Sequence, residues 1–109
     1  FTIARGNDYW MHVMGHPGPH VIIRKPRDGD VPRSTLLDAA HLAIYYSELG
    51  ATDFAEVVYT QRKYVNQIKG GGPGRVGYSN ASTLQVRVSR PRLKRLLDSR
   101  PPSQSGSQS

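Results

Sequence analysis

Apolar residues dominate positions 9–13 (YWMHV) and 20–24 (HVIIR), dense in aromatic and β-branched side chains, with Gly15 and Pro17-Gly18-Pro19 between them. Aromatic and β-branched residues suit a pleated strand and the Gly/Pro cluster interrupts it, so the pattern predicts a hairpin of two short strands. Alternation places Trp10 and His12 on one face and Tyr9, Met11 and Val13 on the other, and parts His20, Ile22 and Arg24 from Val21 and Ile23. Whether His12 and His20 meet depends on register, because a slip of one residue turns a strand over.

Beyond the hairpin the period changes. Residues 25–32 are rich in charge and breakers and read as an exposed loop leading to a helix with proline in its first turn. Over residues 33–49, Leu36, Leu37, Ala39, Ala40, Ala43, Ile44, Tyr46 and Ser47 fall on one broad helical face, and Gly50 is the expected stop. The small residues at the centre of that face predict close packing on a sheet. A strand is expected from Phe54 to Thr60, followed by the basic segment Gln61-Arg62-Lys63-Tyr64-Val65 and the permissive loop Gly70-Gly71-Gly72-Pro73-Gly74. Residues 75–78 and 82–88 read as two strands around an Asn80-centred turn, the second alternating Leu84, Val86 and Val88 against Thr83, Gln85 and Arg87. Leu93, Leu96 and Leu97 share a face of a short basic helix that ends before Pro101-Pro102. Residues 1–5 fit either a last helical turn or a short strand, and the Ser/Gln/Gly tail from Ser103 should stay disordered. The expected fold is a single α+β domain, its largely antiparallel sheet covered by one long helix, with a basic C-terminal helix and a disordered tail.

Charge narrows the partners. A net charge of +7 and a pI near 10.1 favour polyanions. With 109 residues and no cysteine, the chain supports one modest core and needs no disulfide framework. No run approaches the ~20 apolar residues that span a bilayer, and a soluble, cytoplasmic protein is expected.

The candidate chemistry is mostly non-catalytic. His12, His20 and Asp8 are candidates for a metal or a proton-transfer site, since imidazole titrates near neutrality, but a zinc site needs three or four convergent ligands and the sequence shows no cysteine pair or His-x-x-x-His. Sheet-anchoring hydrogen bonds are the expected role of both histidines. Trp10 either fills the core or stacks on a base, with the core expected. Tyr59 and Tyr64 interleave with Arg62 and Lys63, the combination that holds single-stranded RNA by stacking and phosphate contact. The glycine loop superficially resembles a phosphate-binding loop, yet it lacks the Gly-Lys-Ser/Thr ending, and Pro73 removes an amide donor. What it offers is a chain with few side chains between Lys69 and Arg75, able to approach a nucleic-acid backbone. No nucleophile elbow, cysteine nucleophile or obvious carboxylate pair is present.

Asp8-x-Trp10-x-His12 followed by Pro17-Gly18-x-His20-Val21-Ile22-Ile23-Arg24 resembles the NFACT-R family of RNA-binding domains. The similarity continues through residues 36–43 (LLDAAHLA), 58–65 (VYTQRKYV) and 73–78 (PGRVGY), and so spans residues 8 to about 88 in the family's order. The resemblance implies a non-catalytic RNA-binding module without cofactor or metal. Its implied partners are tRNA or ribosomal RNA, and the large ribosomal subunit, in translation or ribosome-associated quality control. The expected RNA-binding residues are Arg24, Lys25, Arg27, Tyr59, Arg62, Lys63, Tyr64, Lys69 and Arg75. Asp8, Trp10, His12, Pro17, Gly18 and His20 are expected to be structural. Residues 1–88 form the expected RNA-binding domain, lacking family residues upstream of Phe1; residues 89–100 are a basic segment and 101–109 a tail. The rivals are a protein-interaction or adhesion domain and a histidine-dependent hydrolase or metal site.

Overall fold

A computed structural model describes residues 6–67 and 76–99. The segments 1–5 and 100–109, the glycine loop, Lys69 and Arg75 lie outside the described residues. In chain order the elements are β1 (Tyr9–Val13), β2 (Val21–Ile23), α1 (Arg33–Tyr45), β3 (Phe54–Gln61), a 3-10 turn (Arg62–Tyr64), β4 (Val65–Gln67), β5 (Val76–Tyr78), β6 (Ser82–Arg87) and α2 (Arg90–Asp98). Four strands form one antiparallel sheet in the order β2-β1-β3-β6, and β4 and β5 form a separate antiparallel pair. The α+β class and the helix-covered antiparallel sheet read from the sequence are the architecture of the chain.

Period-two alternation sorts the two faces of the sheet. Met11, Val13, Ile23, Val57, Leu84 and Val86 point to one side and bury themselves against Ala39, Ala40 and Ile44 of α1. Alanine at the contact lets the helix backbone approach the strands closely, which is why so small a domain can close a core here. On the opposite side Trp10 and Val58 pack with Val65 and Val76 of the β4–β5 pair.

Three local expectations need correcting. The strands on either side of Asn80 are not a hairpin: β5 pairs with β4, and β6 pairs with β3. Asn80 instead adopts the left-handed region, φ 51°, while the Thr60 hydroxyl donates to the carbonyls of Ser79 (2.9 Å) and Asn80 (3.1 Å) and ties the passage to β3. β4 is hidden inside the basic segment because only Val65 of its three residues is apolar. Finally, α1 stops at Tyr45 rather than near Leu49: the Ser47 hydroxyl donates to the Ile44 carbonyl (2.6 Å) and accepts from the Leu49 amide (3.1 Å), offering the backbone an alternative to another helical turn. Gly50 takes the left-handed conformation, φ 59°, but in the turn that follows.

α2 docks on α1 through charge. Ser89 caps it by accepting from the Arg92 amide, and Asp38 of α1 receives both Arg92 (2.6 Å) and Arg95 (3.1 Å).

Candidate nucleic-acid interface

The start of β1 and the ends of β2 and β3 come to the same end of the sheet, where Tyr9 stands opposite both Ile23 and Gln61. Residues 6–8 stitch this end together. The buried Asp8 carboxylate accepts from the Lys25 amide (3.0 Å), its carbonyl accepts from the Arg62 amide (2.7 Å), and the Gly6 carbonyl accepts from the Lys63 amide (3.0 Å). Asp8 is thus a positioning residue that joins Arg24, Lys25 and Arg27 on one side to Arg62 and Lys63 on the other.

The cations here differ from those of α2 in their partners. Among the described residues, every basic side chain of α2 has an acidic partner: Arg90 with Asp53, Arg92 and Arg95 with Asp38, and Lys94 with Asp98. None of Arg24, Lys25, Arg27, Arg62 or Lys63 forms a salt bridge with another described residue. Their polar contacts are with carbonyls: the Lys25 ammonium donates to Gly29 (2.8 Å) and the Arg62 guanidinium to Val65 (3.1 Å). The loop after β2 also carries acid. Asp30 accepts from the Val31 amide and the Tyr9 hydroxyl, contacts that hold its carboxyl below the ordinary range.

Two clefts flank this end. One, of about 330 Å³, is lined by Gly6, Asn7, Asp8, Lys25, Pro26 and Arg27. The other, of about 250 Å³, includes Tyr9, Tyr59, Tyr64, Gln61 and Asn80 in its wall. Tyr59 and Tyr64 are half-buried rather than fully exposed, Tyr59 edge-on to Tyr9 at 5.9 Å. Lys63 lies 5.5 Å from the Tyr64 ring centre, a cation–π contact that keeps its charge beside the cleft.

On the sheet face opposite α1, Trp10 is 3% exposed, so its ring is core. His12 stacks against it at 6.0 Å, His20 meets it edge-on at 5.2 Å, and the two imidazoles are 5.0 Å apart. The sheet-anchoring hydrogen bonds expected of these histidines are not formed with any described residue; ring packing takes their place. Among the described residues no set of three or more His, Cys, Asp or Glu side chains converges for a metal ion. The Pro17-Gly18 turn rests on the end of α1, where the Glu48 amide donates to the Pro17 carbonyl (2.9 Å). A Cβ on Gly18 would lie 2.7 Å from Ser47 Cβ and 3.0 Å from its Cα, so glycine is required by close approach.

Partial desolvation, and then the neighbouring His12, lower the pKa of the largely exposed His20 below its ordinary 6.5. As pH falls the unfolded chain therefore takes up the proton first, so His20 imposes no penalty above about pH 6.5 and withdraws stability progressively below it. The His20→Gln variant, which has no titrating group there, is expected to lose stability less steeply between about pH 7 and 5. Denaturant midpoints across that range check this, and equal slopes for the two chains would refute it.

Sequence reasoning missed His41, which is as buried as Trp10. Its Nε2 accepts from the Ser89 amide (2.9 Å), which leaves the proton on Nδ1 to donate to the Leu37 carbonyl (2.7 Å). The signal was present, since a histidine flanked by Ala40 and Ala43 on a helix's packed face needs partners for both nitrogens.

Residues 2–80 match the family described as the NFACT protein RNA binding domain. A protein named Rqc2 homolog RqcH from Streptococcus pneumoniae serotype 2 is 36% identical over 86 residues, covering 79% of this chain and 15% of that protein. The protein of the same name from Bacillus subtilis is 32% identical over 84 residues, 77% of this chain and 14% of its own length. A solved structure, the C-terminal of the fibronectin/fibrinogen-binding protein from Streptococcus suis, superposes with a TM-score of 0.71 at 31% identity, covering 84% of this chain and 36% of that one. The chain therefore spans about one-seventh of the curated relatives' length.

Proposed function

From the premise that this chain belongs to the family of NFACT protein RNA-binding domains, we propose that it is a non-catalytic module that holds tRNA or ribosomal RNA. Its setting in this reading is the cytoplasm, at the large ribosomal subunit, in the ribosome-associated quality control that the family resemblance implies. No described helix is long and apolar enough to cross a membrane.

The observation that carries the proposal is the segregation of cations: every basic side chain of α2 is held in a salt bridge, whereas the sheet end gathers five basic residues that form none with another described residue, Asp30 being near enough to Lys25 only to feel its charge. Phosphates are the ligands such a cluster attracts, and Tyr59 and Tyr64 stand beside it to meet a base or ribose. In this reading Asp8 and Gly18 set the backbone, and Lys69 and Arg75 add charge from outside the described residues. Residues 1–88 carry the RNA contacts, 89–100 brace the domain, and 101–109 are a tail.

Affinity for RNA should fall steeply with salt, because each neutralised phosphate releases condensed counterions. Replacing Arg62 and Lys63 together by alanine is expected to weaken binding and to flatten the log–log salt slope by about 0.7 for each single-strand phosphate that is no longer neutralised. Filter binding at several salt concentrations measures both. A salt-independent affinity in the unaltered chain would remove the basis of the reading. The name of the solved Streptococcus suis protein, a fibronectin/fibrinogen-binding protein, favours a second reading, a protein-interaction domain, which surface plasmon resonance against fibronectin tests.

A further inference from the structure

The RNA reading leaves the sheet face opposite α1 unexplained. Two of the large apolar side chains that remain exposed on the chain, Ile22 (40%) and Tyr78 (42%), lie there beside His12 and the exposed His20. Ile22 stands directly opposite Trp10 across the β1–β2 ladder, and Tyr78 leans on the Trp10 ring at 5.4 Å from the β4–β5 pair. His12, His20 and Tyr78 thus surround a buried indole, His20 and Tyr78 exposed and His12 half-buried. Neither imidazole spends a nitrogen on a hydrogen bond to a described residue. We propose that this face is a platform for unpaired nucleobases of single-stranded RNA, with His20 and Tyr78 as the stacking rings and Trp10 as their rigid floor.

Chemistry selects that occupant. Stacking requires exposed rings held at a fixed tilt, and the contacts with Trp10 fix all three. A neutral imidazole offers one donor and one acceptor, which match the mixed donor and acceptor edges of a base. Only an unpaired base presents its flat face, since a duplex hides it within the stack. Arg24 follows Ile22 by two residues, about 7 Å along an extended chain, so a strand lying on the platform runs directly into the basic end. The platform rests on the RNA reading but asks for something it does not: base contacts on the sheet face opposite α1, apart from the cations and tyrosines of the sheet end.

Trp10 is the chain's single tryptophan and sits under the platform, so its emission reports occupancy. Hexauridylate and hexaadenylate are expected to change that emission, whereas an abasic hexamer with the same sugar-phosphate backbone should bind without doing so. Tyr78→Ala and His20→Ala should each weaken the hexamers about tenfold while leaving the abasic strand unaffected, and Tyr78→Phe, which keeps the ring, should restore affinity. Melting curves establish that each variant is folded. Equal affinity for abasic and base-bearing strands with unchanged emission would overturn the platform and leave RNA binding at the basic end intact. Absence of binding to any strand would remove both. A change of emission on adding fibronectin but not RNA would assign the face to a protein and overturn the platform.

Discussion

Trp10→Ala is expected to cost about 3 to 5 kcal/mol of folding free energy, the scale for deleting a fully buried large aromatic. The ring fills the space between Val58, Val65 and Val76 and anchors three other rings, so its loss opens a cavity that several neighbours line. Domains of this kind are stable by only about 5 to 15 kcal/mol, so a variant this damaged should be partly unfolded at body temperature. Denaturant titration followed by circular dichroism measures the loss. A variant with the stability of the original chain that no longer bound RNA would show the indole to be a contact residue rather than its support.

His41→Ala should be nearly as damaging, by roughly 2 to 4 kcal/mol, for a different reason. The imidazole is the acceptor for the Ser89 amide, and Ser89 is the residue that caps α2. Without it a half-buried N–H loses its partner at the junction where β6 hands the chain to α2, and a cavity forms under α1. Hydrogen exchange should quicken at the Ser89 amide and through α2 while β1 and β3 keep their protection. Undiminished protection at Ser89 would mean that another group takes the acceptor's place.

How much of this was legible in sequence follows from the range of the interactions involved. β1, β3 and β6 and the core of α1 announce themselves because period two and period 3.6 are local properties of consecutive residues. β4 does not, since three residues with Asn66 and Gln67 among them carry no pattern, and its existence depends on β5 and on Trp10 beneath. The end of α1 escapes a sequence reading because Ser47 diverts its own backbone before glycine is reached. At the site, sequence supplied the cations but not their state. Arg92 looks no different from Arg62 in the chain, and only the fold brings Asp38 to the one and leaves the other without an acid among the described residues. The meeting of His12 and His20 was equally beyond reach, because it turns on register, which the sequence does not set.

The position of β1 between β2 and β3 has a consequence for the order in which the chain assembles. β2 follows it after a short turn, but Tyr9 must wait for Gln61, and Val13 for Val57, with the whole of α1 made in between. Pairings so distant in sequence are slow to form, because the entropy of closing the intervening chain is lost before any contact compensates for it. A nascent chain that has reached the end of α1 therefore holds a hairpin whose β1 edge is still bare and an indole without its cover. That is the species most prone to pair with a neighbouring chain; the arrival of β3 covers the edge of β1, and the β4–β5 pair, with Val65 and Val76, then covers the indole.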